Sequence, residues 1–132
     1  MNYYRLKNIK NLLEHKIAFT FAILLTVAIT VGSLAPTTNP EIKAVLSYDK
    51  LVHGLAYCIL TLSWFFAFKK SNSKKIISIA ILIFLYGIII EVLQNIFTQY
   101  RKADLLDILA NGLGVFTAFF LIRTIFINKK LY

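Results

Sequence analysis

The sequence predicts an all-α membrane protein, a bundle of four transmembrane helices. Its 132 residues are 58% hydrophobic and only 16% charged, and the mean hydropathy is +0.70. A chain of 15.1 kDa has too small an interior to remove this much apolar surface from water. The surplus is therefore expected to contact lipid, which excludes most water-soluble folds.

Four apolar runs are long enough to cross a hydrocarbon layer about 30 Å thick, which takes about 20 helical residues. The runs are continuously apolar rather than alternating, which favours helices over the strands of a membrane barrel. We expect a single integral membrane domain over residues 1–132, with helices at about 17–35, 51–68, 76–97 and 105–127.

The segments between the runs support this division. Pro36 and Pro40 follow the first run, and proline ends a helix because it lacks a backbone N–H. A short basic turn at residues 69–75 predicts that the second and third helices are antiparallel neighbours.

A cleaved signal peptide is the alternative for the first run. That run is longer than the usual signal core, and Pro36 would hinder cleavage after Ala35.

Charge placement predicts the orientation. The chain has 15 Lys and Arg against 6 Asp and Glu. With the N-terminus inside, the positive-inside rule is obeyed and both termini are cytoplasmic. The cations flank the apolar runs in short groups instead of forming one basic face, so nucleic acid is not an expected partner. The cations on the outer side would be Lys43, Lys50, Arg101 and Lys102, and the other 11 would be inside.

Ionisable residues in membrane helices are costly, about 2.5–3.5 kcal/mol at mid-bilayer, and usually face a protein interior or water. Asp49, His53 and Tyr57 recur every four residues and so share one face of the second helix. Glu91 and Gln94, three residues apart, share a face of the third helix near its outer end.

The fourth helix begins with Asp104 and Asp107, followed by Asn111 at helical spacing. Gly114 and Ala118 continue this face with small residues, which predicts close packing against a neighbouring helix. Because the second and fourth helices begin outside and the third ends there, the three polar faces should meet at one depth, near the outer leaflet.

We therefore predict one polar site at this level, either a ligand-facing pocket or a buried network that locks the bundle. Arg101 in the adjoining connector can reach its carboxylates or bind a ligand phosphate. No zinc-spaced histidine pair or phosphate loop occurs, so we expect neither a metal site nor a cofactor. The candidate ligand-binding residues are Asp49, Lys50, His53, Tyr57, Glu91, Gln94, Arg101, Asp104, Asp107 and Asn111.

Three motifs in this order resemble the VanZ-like family of small bacterial membrane proteins. They are the Asp-Lys-x-x-His segment that starts at Asp49, the Glu-x-x-Gln segment that starts at Glu91, and the segment from Arg101 to Gly114. The family is named for a protein associated with low-level teicoplanin resistance. The resemblance, over about residues 49–119, implies a multi-pass protein of the bacterial plasma membrane without a settled reaction. Gly54 departs from the larger, often aromatic residue expected there.

Three functions are the main alternatives, and transport is a fourth, for which polar groups confined to one leaflet show no pathway unless an oligomer builds one. The first is binding of an envelope lipid, a lipid-linked precursor or a glycopeptide, with a teicoplanin-resistance role as one form of it. The second is an enzyme acting on a lipid headgroup or envelope precursor, with His53 and Asp49 as an oriented base and Glu91 as a second acid or base. The third is a structural or assembly partner of an envelope complex. The lipid bilayer is the expected partner in each, and a homo-oligomer is left open.

Overall fold

The computed structural model describes residues 3–35, 49–68, 73–97 and 104–129. These residues form four α-helices, and the described ranges contain no strand. All four helices are long and apolar enough to cross a membrane, which confirms the predicted all-α membrane fold. The helices are α1 Tyr3–Leu34, α2 Asp49–Ala67, α3 Ser73–Phe97 and α4 Leu105–Lys129.

The bounds of α2, α3 and α4 lie within three residues of the predicted ones. The first helix differs, because it begins at Tyr3 rather than near residue 17 and has 32 residues. Residues 3–16 contain no Gly or Pro, so nothing in them interrupts the backbone hydrogen-bond ladder. At about 1.5 Å per residue, α1 is about 48 Å long and extends well beyond a hydrocarbon layer of about 30 Å.

Neighbouring helices alternate in direction. At one end of the bundle, Phe65 near the end of α2 packs with Ile76 at the start of α3 and Ile122 near the end of α4. At the other end, the Gln94 side chain on α3 donates to the Ser33 carbonyl on α1 over 3.0 Å. The antiparallel arrangement expected for the second and third helices is therefore present.

The closest helix contact joins α2 and α4. Gly54 and Gly114 face each other there, and a Cβ added to Gly114 would overlap the Gly54 carbonyl oxygen and lie 3.0 Å from the Cys58 nitrogen. Ala110 and Ala118, on the same face of α4, are buried. The small-residue face predicted for the fourth helix is thus a helix-packing face, and Gly54 is its counterpart on α2.

The first helix is held to the bundle by polar contacts inside the apolar layer. The Trp64 indole N–H donates to the Thr26 hydroxyl over 3.1 Å. The Thr30 and Tyr86 hydroxyls lie 2.8 Å apart, which links α1 to α3. The threonines therefore make the interhelical hydrogen bonds that polar groups need where water is excluded.

Much of the outer surface consists of large apolar side chains. Leu82 on α3 is 65% exposed, and Leu113 and Phe116 on α4 are 67% and 65% exposed. The buried side chains, by contrast, include the charged or polar Glu91, Gln94 and Asn111. Apolar groups outside and polar groups inside are the distribution expected when the bilayer is the solvent.

Replacement of Gly114 by alanine should destabilise the bundle. The new Cβ would meet backbone atoms of α2, which cannot rotate away as a side chain can, so we expect a loss of at least about 2 kcal/mol in the free energy of unfolding. Gly32→Ala is the matched control, because nothing lies within 4 Å of its added Cβ. The free energy of unfolding of both variants can be measured by titrating the micelle-bound protein with SDS and following the loss of helix by circular dichroism. Equal stability of the two variants would contradict the α2–α4 contact.

Candidate functional site

Polar side chains from α2, α3 and the start of α4 meet at one end of the bundle. Here α2 and α4 begin, and α3 ends. The predicted convergence of three polar faces is therefore present in the structure. We call this group the polar cluster, and its described members are Asp49, Lys50, His53, Glu91, Asp104, Asp107 and Asn111.

Asp49 and His53 occupy successive turns of α2. Their spacing of four residues places them on one helix face, and Asp49 Oδ1 lies 3.4 Å from His53 Nε2. The His53 residue is only 8% exposed, while the Asp49 side chain is 24% exposed. The carboxylate at the helix N-terminus thus stands between the surface and the buried imidazole, where it also interacts favourably with the helix dipole.

The other ring nitrogen of His53 faces α4. His53 Nδ1 and Asn111 Oδ1 are 3.0 Å apart, and Asn111 is only 1% exposed. An amide oxygen accepts but does not donate, so His53 Nδ1 carries the hydrogen in this arrangement. Asn111 therefore fixes both the orientation of the ring and the position of its proton.

Glu91 connects α3 to the start of α4. Its side chain is buried, at 2% exposure, and Oε1 accepts the backbone N–H of Asp104 over 2.9 Å. Asp104 in turn caps α4, because its Oδ1 accepts the Leu106 N–H over 2.9 Å. One buried carboxylate and one exposed carboxylate thus determine where the fourth helix begins.

Lys50 lies at the surface of the polar cluster. Its ammonium group is 3.2 Å from Asp104 Oδ2 and 3.7 Å from Asp107 Oδ1. The Leu106 N–H and then Lys50 hold the pKa of Asp104 below its ordinary value of 3.8. The stabilisation from these contacts is present above that ordinary value and is lost as the pH falls through the lowered pKa.

Asp107 lies in the first turn of α4 and is only 7% exposed. Its Oδ1 has no hydrogen-bond partner among the described residues, and the Lys50 ammonium is at ion-pair distance only. A buried carboxylate oxygen in this position is costly because burial removes its hydration. Asp107, Asp49 and His53 each bring one potential metal-ligand atom, and these atoms all lie within 4.8 Å of one another.

Two predicted site residues lie beside the polar cluster rather than in it. Gln94 is buried and bonded to the Ser33 carbonyl, so its amide ties α1 to α3. Tyr57 is 2% exposed and packs against Gly87 and Tyr86. Its hydroxyl has no hydrogen-bond partner among the described residues. Both side chains are closed off from the surface.

Arg101, the remaining predicted residue, lies outside the described ranges, and so does Lys102. The expected contact of Arg101 with the carboxylates therefore stays a prediction.

Other residues line the prominent cavities among the described helices. One, of about 800 Å³, lies at the end of the bundle opposite the polar cluster, beside His15 and Lys75. A second, of about 340 Å³, lies between α1, α2 and α3 beside Trp64, and a third, of about 360 Å³, lies between α3 and α4 beside Phe84.

Sequence reasoning missed the pairing of His53 with Asn111 and the approach of Asp107 to both Asp49 and His53. The available signal was the small-residue face of α4 together with Gly54, which predicts that α2 and α4 pack more closely than other pairs. His53, directly before Gly54, and Asn111, about one turn before Gly114, are then brought together. Helical spacing within each span groups the polar positions by face, but it does not say which of them pair between helices.

The four spans and the polar cluster at one end define a multi-pass helical membrane protein with an internal polar site. The chain belongs to the VanZ/LLP1 family, whose model matches residues 2–127. The match extends well beyond the residues 49–119 on which the resemblance was based, and it includes the first helix. No curated protein and no solved structure matches the chain.

Replacement of Glu91 by leucine should lower stability by about 1–3 kcal/mol, because the Asp104 N–H would lose its buried acceptor. Glu91→Gln keeps an oxygen that can accept this hydrogen bond and should lose less. Val92→Leu, on the adjacent, lipid-exposed position, is the control and should stay within about 0.5 kcal/mol of the native chain. Unfolding in SDS measures all three. Full stability of Glu91→Leu would refute the role assigned to this hydrogen bond.

Proposed function

We propose that the protein binds the polar headgroup of a cell-envelope lipid, a lipid-linked envelope precursor or a glycopeptide at the outer leaflet of the bacterial plasma membrane. The observation that carries this proposal is the graded burial of the polar cluster. The Lys50 and Asp104 side chains at its rim are 51% and 42% exposed. Glu91 and Asn111 beneath them are buried. A headgroup that approaches along the membrane surface would meet the rim first.

The rim carries both signs of charge. Lys50 supplies an ammonium group, while Asp104 and Asp49 supply carboxylates that retain contact with solvent. A ligand with both an anionic and a cationic group complements such a rim, as a zwitterionic phospholipid or a glycopeptide with a carboxylate and an amine would. Arg101, next to the cluster in sequence, is the further candidate for an anionic group.

The distribution of cations supports an outward-facing cluster. Lys7 and Lys10 at the start of α1, Lys74 at the start of α3 and Arg123 near the end of α4 belong to the opposite end of the bundle. The positive-inside rule assigns that end to the cytoplasm. The polar cluster then lies at the outer leaflet, where envelope lipids, precursors and glycopeptides are accessible.

The described residues favour binding over transport. Their buried carboxyl and imidazole groups, on His53, Glu91 and Asp107, all belong to the polar end. Further along α2, the Thr61 and Ser63 hydroxyls donate to carbonyls of their own helix. Transport would need polar groups that continue towards the opposite side, whereas recognition of a headgroup needs them at one level only.

The second candidate is an enzyme that acts on the same headgroup. It is favoured by the arrangement of His53, whose ring is oriented by Asn111 on one nitrogen and lies 3.4 Å from Asp49 on the other. An oriented imidazole of this kind can serve as a general base in hydrolysis or group transfer. Glu91, deeper in the cluster, would supply the second acid or base.

Binding can be measured on the full chain in nanodiscs by titration with short-chain phosphatidylethanolamine and, separately, with teicoplanin. We expect saturable binding of at least one probe. Lys50→Met should weaken it at least about tenfold, since it removes the charge-assisted contact of the ammonium group with the ligand. Mass spectrometry of the recovered probe detects any conversion and so separates the enzyme from the binding protein.

Lys74→Met is the matched control, because it removes a cation of the same type at the opposite end of the bundle and should leave the affinity unchanged. A folded native chain that binds neither probe would refute the proposal. Equal weakening by Lys50→Met and Lys74→Met would show attraction to overall charge instead of recognition at the polar cluster.

A further inference from the structure

We propose that Asp49, His53 and Asp107 form a binding site for a divalent transition-metal cation of the zinc or manganese type. Their potential ligand atoms lie within 4.8 Å of one another. Two carboxylates and one imidazole are a ligand set that suits these ions. The proposal goes beyond headgroup binding and does not depend on it, because it concerns the side chains of the protein alone.

The position of the proton on the His53 ring leaves Nε2 available to a metal cation. Because Nδ1 carries its hydrogen towards Asn111, the neutral ring presents a lone pair at Nε2. That lone pair faces Asp49 Oδ1 at 3.4 Å. Two acceptors repel at this distance unless a proton or a metal cation lies between them. A cation bound by both atoms removes the repulsion and leaves the Asn111 contact intact.

The buried carboxylate of Asp107 independently favours a bound cation. It is only 7% exposed, and its Oδ1 has no hydrogen-bond partner among the described residues. A buried carboxylate normally has hydrogen-bond donors or a bound cation to compensate for its lost hydration. Lys50 provides part of this compensation from 3.7 Å, but its shorter contact, 3.2 Å, is to Asp104.

The distances suit a bound ion after a small adjustment. Metal–ligand bonds to nitrogen and oxygen are about 2.0–2.2 Å, so two ligands on one tetrahedral ion are about 3.3–3.6 Å apart. Asp49 Oδ1 and His53 Nε2 already have this separation. The Asp107 carboxylate lies within 4.8 Å of the other two ligand atoms, so it would have to move by about one ångström to reach this separation.

Asn111 would then act as a positioning residue. Metal-binding histidines usually donate their second ring N–H to a carbonyl or carboxylate oxygen, which fixes the ring and makes the other nitrogen a better ligand. The His53–Asn111 hydrogen bond has this form. Three protein ligands leave at least one coordination position open, and a phosphate oxygen or a water molecule can occupy it.

The experiment uses the full chain in detergent micelles, stripped with EDTA and titrated with zinc chloride by calorimetry. We expect one ion per chain. Asp107→Asn and His53→Ala should each lower the affinity at least about tenfold. His15→Ala and Glu14→Gln are the matched controls, since they remove the same kinds of side chain from α1, and both should bind as the native chain does.

A measurement on the native chain covers the case in which a variant fails to fold. With histidine rings labelled with carbon-13, a substoichiometric amount of manganese chloride should broaden the ring resonances of His53 and leave those of His15 sharp. Absence of saturable zinc binding would overturn the proposal, and so would equal broadening of both rings. No lipid or glycopeptide probe is present, so failure here leaves headgroup binding untouched.

Discussion

The backbone contact between Gly54 on α2 and Gly114 on α4 is the constraint on which the polar cluster depends. No side chain separates the two helices at this point. The turns that precede the glycines therefore approach closely enough for His53 to hydrogen-bond to Asn111. Larger residues at the two glycines would hold the helices apart, and the buried imidazole would lose its partner.

In a bilayer, these contacts between the helices are necessary for the buried polar groups. Burial of Glu91, Asp107 and Asn111 among apolar helices is tolerable only if other groups of the protein compensate for the lost hydration. Most of the compensation crosses between helices, since Glu91 accepts from the backbone before α4 and His53 pairs with Asn111. The same contacts that could recognise a ligand thus also hold the helix ends in place. This dual role explains why structural and ligand-binding interpretations both suit these residues.

The sequence was sufficient to predict four helices and the meeting of their polar faces at one end of the bundle, because hydropathy and helical spacing determine these directly. It did not predict that α1 begins at Tyr3, because the polar residues before its apolar run carry no hydropathy signal. Nor did it predict which polar side chains would pair. That depends on helix rotation and crossing distance, which small residues such as Gly54 determine through three-dimensional packing. The proposed metal site was not predicted for the same reason, since Asp107 comes from a different helix than Asp49 and His53.

The most direct measurement of the α2–α4 contact is chemical cross-linking in native membranes. In a Cys58→Ser background, cysteines at His53 and Asn111 should be joined within one chain by a short methanethiosulfonate cross-linker. A pair at His53 and Ile122, which lies towards the other end of α4, should not react. Efficient cross-linking of the first pair alone is the predicted result. Failure of the first pair to react, with both cysteines still modified by a monofunctional reagent, would contradict the account.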